Sequence, residues 1–171
     1  ATDLFKAFMA FETLDYCARL QIEAAKLGKI RPLSDRYIKI SKEKQNVEMD
    51  EFVNKSISSE EREARREMCT LIRRAYDQQL FTSTQGTFSQ KLSDGSFLIT
   101  PYHKDRKYME ESDIVRIVGE WKEAGKMPSR SAILHKKIYD KHPEIKSIII
   151  AHAPYVMTFA VTDCEFDSRT I

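Results

Sequence analysis

The pair Asp94-Gly95 constrains this chain more than any other short feature. It separates Thr87–Leu92 from Ser96–Thr100, two short runs carrying β-branched and aromatic residues. Asp-Gly in that setting predicts a tight antiparallel hairpin, because glycine enters positive φ without steric cost. Pro101 closes the second strand. Ser112–Val118 reads as a third strand, Gly119–Lys126 as a turn and Lys146–Ala151 as a buried strand. A largely antiparallel sheet is therefore expected.

Helical periods surround this sheet. From Asp3 to Leu27, Leu4, Phe8, Phe11, Leu14, Ala18, Ile22 and Ala25 recur on one face of a 3.6-residue period. Thr2 or Asp3 is placed to cap its start, and Gly28 stands where a left-handed stop is expected. Ser58-Ser-Glu-Glu61 forms a capping-box pattern. The helix after it turns Ala64, Met68, Leu71, Ile72, Ala75 and Leu80 inward. A further helix, opened by Pro128-Ser129, runs to Tyr139 with Ile133, Leu134 and Ile138 inward, and a short one spans Pro154–Val161. Between Lys29 and Ser58 no period is sustained, which reads as a linker with a short strand or turn. Helices packed on an antiparallel sheet follow.

Composition removes several functions. Lys+Arg number 28 and Asp+Glu 26, a net charge of +2, with arginines set among acidic neighbours. No concentrated basic face is expected, which argues against nucleic acid or a membrane as partner. Only 5 glycines occur, none closer than six residues to the next, so neither a G-x-G-x-x-G nor a Walker loop exists. The 3 cysteines (Cys17, Cys69, Cys164) form no C-x-x-C and fit a reducing compartment. No apolar run is long enough to span a bilayer and no signal-peptide layout opens the chain, so a cytoplasmic protein is expected.

Five motifs in order carry a resemblance. They are Gly86-Thr-Phe-Ser89, the hairpin ending Ile99-Thr-Pro101, Glu111-Ser-Asp-Ile-Val115, Pro128-Ser-Arg-Ser131 with His135 downstream, and a strand ending Ile150-Ala-His152. This order resembles the class II aldolase/adducin family, whose pattern runs G-N-x-S, I-T-P-S-G, D-L-V, P-S-S-E and H-x-H. The resemblance covers Ser59–Ala160. Separately, Thr2–Gly28 looks like the family's last helix. The resemblance implies an α/β fold, a three-layer α/β/α with a largely antiparallel central sheet, incomplete in this chain. It also implies a middle piece of a tandem protein: residues 1–28 end one aldolase-like domain, 29–58 link, and 59–171 supply the first two-thirds of another. The competing reading is that the first helix simply packs on the domain that follows.

Members of this family process sugar phosphates with a divalent metal, usually zinc, held by three histidines, while an acidic residue moves the proton. Two of those histidines come from H-x-H, since alternate strand residues share a face. Here His152 matches one ligand position, and Ile150 stands at the other. Ser131 replaces the acidic residue, so no catalytic residue is assigned. The phosphate-binding positions correspond to Thr87, Ser89, Ser129 and Arg130, with Tyr102 and His103 replacing the small residues after Pro101. Structural roles are open for each: Ser129 as a helix cap, Arg130 as a solvated cation, His152 as a strand-end residue, His135 as packing.

Three functions are therefore carried forward. The first is an aldolase-like module that keeps the fold without a complete metal site, so that this chain alone holds no zinc. The second is an active sugar-phosphate aldolase whose metal site another domain or subunit completes. The third is a non-catalytic anion-binding or oligomerisation module. In each, a homo-oligomer or association with the rest of a tandem parent is expected, because a truncated sheet leaves an open edge.

Overall fold

A computed structural model describes residues 3–42 and 48–170. Thr2, one of the two cap candidates, and residues 43–47 of the expected linker lie outside them. The sheet has six strands: β1 (Asp50–Phe52), β2 (Thr87–Lys91), β3 (Phe97–Ile99), β4 (Val115–Val118), β5 (Trp121–Glu123) and β6 (Ser147–Ile150). Their spatial order is β1-β5-β4-β3-β2-β6, with β1 parallel to β5 and every other pair antiparallel. Among the described residues five α-helices accompany it: α1 (Leu4–Leu27), α2 (Asp35–Lys42), α3 (Ser59–Asp77), α4 (Ala132–Lys141) and α5 (Pro154–Ala160).

The period-2 alternation of the central strands sorts side chains into two layers. Phe88 and Leu98 pack with Ala64, Met68 and Ile72 of α3. Phe97, Ile99, Val115 and Ile117 pack with Ala132 and Tyr139 of α4. Helices thus cover both faces of the sheet, the three-layer α/β fold the resemblance implies. The hairpin forms at Asp94-Gly95, with Gly95 at φ +85° and Leu92 N–H donating to the Ser96 carbonyl at 2.8 Å.

Several local expectations are corrected. The Gly119–Lys126 segment contains β5, which pairs with both β4 and β1. Lys29–Ser58 holds the helix α2 besides the short strand β1. The strand at Lys146–Ala151 is not buried: β6 lies at the sheet edge, and Ile149 is 60% exposed. On α4, Ile133 and Leu134 are exposed while Ala132, His135 and Tyr139 are buried, so the inward face is rotated by one residue. Leu71 of α3 is likewise exposed.

The apolar face read on α1 is also exposed, with Leu4, Phe8, Phe11, Leu14 and Ile22 all outward. The opposite side packs, through buried Tyr16 and Ala24, and the helix lies on α5. Asp3 caps it by accepting from Lys6 N–H at 2.8 Å. Gly28 is not left-handed; its φ of 176° is extended. A Cβ there would come within 2.6 Å of Asp163 Oδ1, so that carboxylate, which accepts the Lys29 N–H, would have to shift.

Ser58 caps α3 by accepting the Glu61 N–H at 3.1 Å. The Glu61 carboxylate does not return the bond, as a capping box requires. It is fully buried, accepting from Arg65 on one oxygen (2.6 Å to Nη2) and from Arg116 on the other (2.8 Å). Arg65 continues to Glu123 at 2.8 Å, which ties α3 to β4 and β5. No helix among the described residues is long and apolar enough to cross a membrane.

Candidate functional site

The start of β2, the turn after β3, the start of α4 and the end of β6 meet at one end of the sheet. They enclose a cavity of about 400 Å³. Thr87, Tyr102, His103, Ser129, Arg130 and His152 all line it. These are six of the seven residues singled out by sequence. Their distance along the chain reflects the sheet order, which brings β6 beside β2 with Ile150 opposite Thr87.

Each wall has a local cause. Gly86 precedes β2 at φ +76°, where a Cβ would meet the Phe81 ring at 3.0 Å. Thr87 is buried, and its hydroxyl lies 2.8 Å from the Ser129 hydroxyl. Ser129 N–H donates to the Thr100 carbonyl at 3.0 Å, fixing the approach to α4. Ser129 is not the N-cap, which is Ser131; its hydroxyl instead accepts the Ser131 N–H at 3.3 Å. Arg130 is exposed and its guanidinium stacks over the Tyr102 ring, 5.3 Å from the centroid. His103, where the resemblance leads one to expect glycine, takes a left-handed φ of 56°. A histidine there costs about 1 kcal/mol of backbone strain.

Ser89 is the seventh residue, and the structure does not bring it to the cavity. It is buried beneath α4, its hydroxyl 2.7 Å from both His135 Nδ1 and Tyr139 Oη. Burial pushes the His135 imidazole down to about 4, and its Nε2 has no hydrogen-bond partner among the described residues.

Arg106 is a site residue that sequence reasoning missed. Only 2% exposed, it donates to the carbonyls of Gly86, Lys104 and Pro101 at 2.8–3.2 Å. Its own N–H donates to the Ser83 carbonyl at 2.7 Å. One guanidinium thereby joins the loop before β2 to the turn after β3. Burial lowers its pKa to about 10, still cationic at neutral pH. Nothing in Asp105-Arg-Lys107 marked it, because its value comes from carbonyls that only the fold collects.

The lining carries two arginines (Arg106, Arg130), two histidines (His103, His152) and no carboxylate. Such a wall favours an anionic ligand, through charge-assisted bonds to Arg130. A larger cavity of about 560 Å³ lies between Met49, Ile117 and Lys136, but Lys136 is paired there with Glu120 and Asp140. The donors do not fit a three-histidine metal centre within this chain. His152 lies just past β6, it and Ile150 both line the cavity, and Ser131 offers a hydroxyl. Among the described residues no cluster of three or more His, Cys, Asp or Glu is placed to hold a metal ion.

The family model described as Class II Aldolase and Adducin N-terminal domain matches residues 66–169. The 3-oxo-tetronate 4-phosphate decarboxylase of Cupriavidus necator is 27% identical over 105 residues, covering 60% of this chain and 48% of that protein. The methylthioribulose-1-phosphate dehydratase of Methylococcus capsulatus is 35% identical over 74 residues, 42% of this chain and 36% of that one. A solved L-fuculose 1-phosphate aldolase superposes with a TM-score of 0.54 and 26% identity, covering 60% of this chain and 49% of that chain. YgbL of Klebsiella pneumoniae, a putative aldolase/epimerase/decarboxylase, gives 0.56 at 22% identity over 60% and 50%, a likeness of fold. The chain spans about half or less of the length of these relatives.

Proposed function

The chain belongs to the Class II Aldolase and Adducin N-terminal domain family, and from that premise we propose that it is an aldolase-like module which binds the anionic end of a small sugar phosphate without a complete metal site of its own. The observation that carries this reading is the cavity whose lining holds Arg106, Arg130, His103 and His152 and no carboxylate. Arg130 contacts the anion from the rim, and Thr87 and Ser129 supply hydroxyls beneath it. Tyr102 holds the Arg130 plane in place by stacking. The named relatives support the substrate class, since the decarboxylase, the dehydratase and the aldolase all carry a phosphorylated sugar derivative in their names.

Ile150 and Ser131 support the second half of the reading. Isoleucine supplies no ligand atom, and a serine hydroxyl does not ionise near neutral pH, so neither replaces a metal ligand or a carboxylate base. This chain then binds without turning substrate over, and His152 alone marks the former ligand set. Two measurements test it. Titration of the chain with inorganic phosphate and with L-fuculose 1-phosphate is expected to show saturable binding. Metal analysis after dialysis is expected to show less than stoichiometric zinc or manganese; one bound equivalent overturns the metal half of the proposal, and absence of phosphate binding overturns the anion half.

A second reading rests on the chain's share of its relatives. Because it spans about half their length, further sequence of a tandem parent, or another subunit, can complete a catalytic centre beside this cavity. In that reading the parent is a sugar-phosphate aldolase, residues 1–28 close one aldolase-like domain, 29–58 link, and 59–171 begin the next. The open β6 edge and the exposed apolar face of α1 are the surfaces on which another copy or the parent's other parts associate. Retro-aldol activity of the full parent with a divalent metal supports it, and a stable monomer of this chain by light scattering counts against the association.

A further inference from the structure

One helix touches both walls of the anion cavity. On α1, Glu12 and Tyr16 lie one turn apart and so share a face. Glu12 Oε2 accepts the Ser83 N–H at 2.7 Å, and its Oε1 accepts the Tyr76 hydroxyl at 3.0 Å. Tyr16, only 6% exposed, donates its hydroxyl to the His152 carbonyl at 2.6 Å. Ser83 is buried, and its carbonyl is the acceptor for Arg106 N–H. Arg106 in turn binds the carbonyls of Gly86 and Pro101. The first contact therefore reaches the loop before β2, and the second reaches the end of β6, across the same cavity.

The helix is also held at its far end. Lys29 N–H donates to Asp163 at 2.8 Å and Arg31 N–H to the Val161 carbonyl at 2.8 Å, after α5. Both contacts lie beyond the segment that carries His152. With the helix held at its C-terminal end, the Glu12 and Tyr16 contacts to Ser83 and His152 are linked by the rise of one helical turn. A rigid spacer of this kind preorganises a site, so less binding energy is lost to ordering its walls.

We propose that Glu12 and Tyr16 are positioning residues that set the width of the anion cavity, and so its affinity, without touching the ligand. This rests on the anion-binding reading above. Tyr16→Phe keeps the ring and removes one hydroxyl; Glu12→Ala removes both acceptors, and Glu12→Gln keeps one. Leu92→Ala, buried near the hairpin and away from the cavity, controls for loss of stability alone.

Inorganic phosphate is titrated into each variant at a temperature where circular dichroism shows it folded, with backbone amide spectra recorded in parallel. Tyr16→Phe and Glu12→Ala are expected to weaken phosphate binding about tenfold. They should also displace the amide signals of Thr84–Thr87 and His152. Glu12→Gln should recover part of the loss, and Leu92→Ala should lower the melting temperature while keeping wild-type affinity. Wild-type affinity in Tyr16→Phe and Glu12→Ala overturns the positioning role and leaves the anion reading standing. A wild-type chain that binds no phosphate overturns the anion reading itself, and the positioning role with it.

Discussion

The Ser89 hydroxyl lies 2.7 Å from His135 Nδ1, beneath α4 and out of contact with solvent. Ser89 occupies a position that the sequence motifs associate with the site and His135 one that reads as packing; the pair serves the core. Ser89 also meets Tyr139, so one hydroxyl joins β2 to two turns of α4. The imidazole's other nitrogen has no partner among the described residues.

That arrangement makes stability depend on acid. Desolvation holds His135 at about 4, below its ordinary 6.5. Above pH 6.5 the imidazole is neutral in both folded and unfolded chains. As pH falls below 6.5 the unfolded chain takes up a proton that the folded chain refuses until near pH 4. Stability is therefore lost across that window, by about 3 kcal/mol for this group. Urea midpoints at pH 7 and 4.5 should converge in His135→Gln relative to wild type; an unchanged pH dependence in the variant refutes the assignment.

Arg130 should govern ligand binding without governing folding. It is exposed and stacks on Tyr102. Arg130→Ala is expected to weaken phosphate binding about tenfold. Arg130→Lys should fall between, since an ammonium keeps the charge but loses the planar stack. Calorimetric titration gives the affinities, and thermal melts should superimpose.

Gly86 carries a steric demand that Gly125 lacks. Both have positive φ, but a Cβ at Gly86 meets the Phe81 ring at 3.0 Å while one at Gly125 meets nothing within 4 Å. Gly86→Ala should cost about 2–3 kcal/mol and Gly125→Ala about 1 kcal/mol. Equal shifts in urea midpoint would show that the ring gives way.

Removing Glu61 takes a fully buried carboxylate from between two guanidiniums. Its carboxylate is fully buried between Arg65 and Arg116. Glu61→Ala is expected to cost about 3–5 kcal/mol, because both partners stay charged and lose the buried one of their two carboxylates, Arg65 keeping Glu123 and Arg116 keeping Asp94. Glu63→Ala, whose partner Arg66 is exposed alongside it, should leave the denaturation midpoint where it was. A small loss for Glu61→Ala would mean that water reaches the arginines.

The local signals that could be read along the chain are those decided by neighbours in sequence. Asp94-Gly95 dictates its turn through backbone sterics, Ser58 its cap, and Pro154 the start of α5. The β2–β3–β4 meander follows from short connections. The ordered motifs from Gly86 to His152 identified the family and most of the cavity lining, because each motif keeps its place in the backbone even where its residues depart from the family pattern. Legibility failed where a residue's role depends on which face finds a partner. Ile133 and Leu134 look inward by composition, yet α4 turns Ala132, His135 and Tyr139 to the sheet. α1 reads as amphipathic, yet it packs through Tyr16 and Ala24 and leaves its phenylalanines exposed.

The sequence by itself determined the hairpin, the main helices, the family and the absence of a glycine phosphate cradle. Tertiary structure alone decided that Ser89 belongs to the core, that Arg106 binds the two loops, and that α1 bonds both the Ser83 amide and the His152 carbonyl. The physical reason is the range of the interactions. Turns and caps are settled within four residues, whereas Tyr16 meets a carbonyl 136 residues away. That meeting exists only once the sheet has set β6 beside β2.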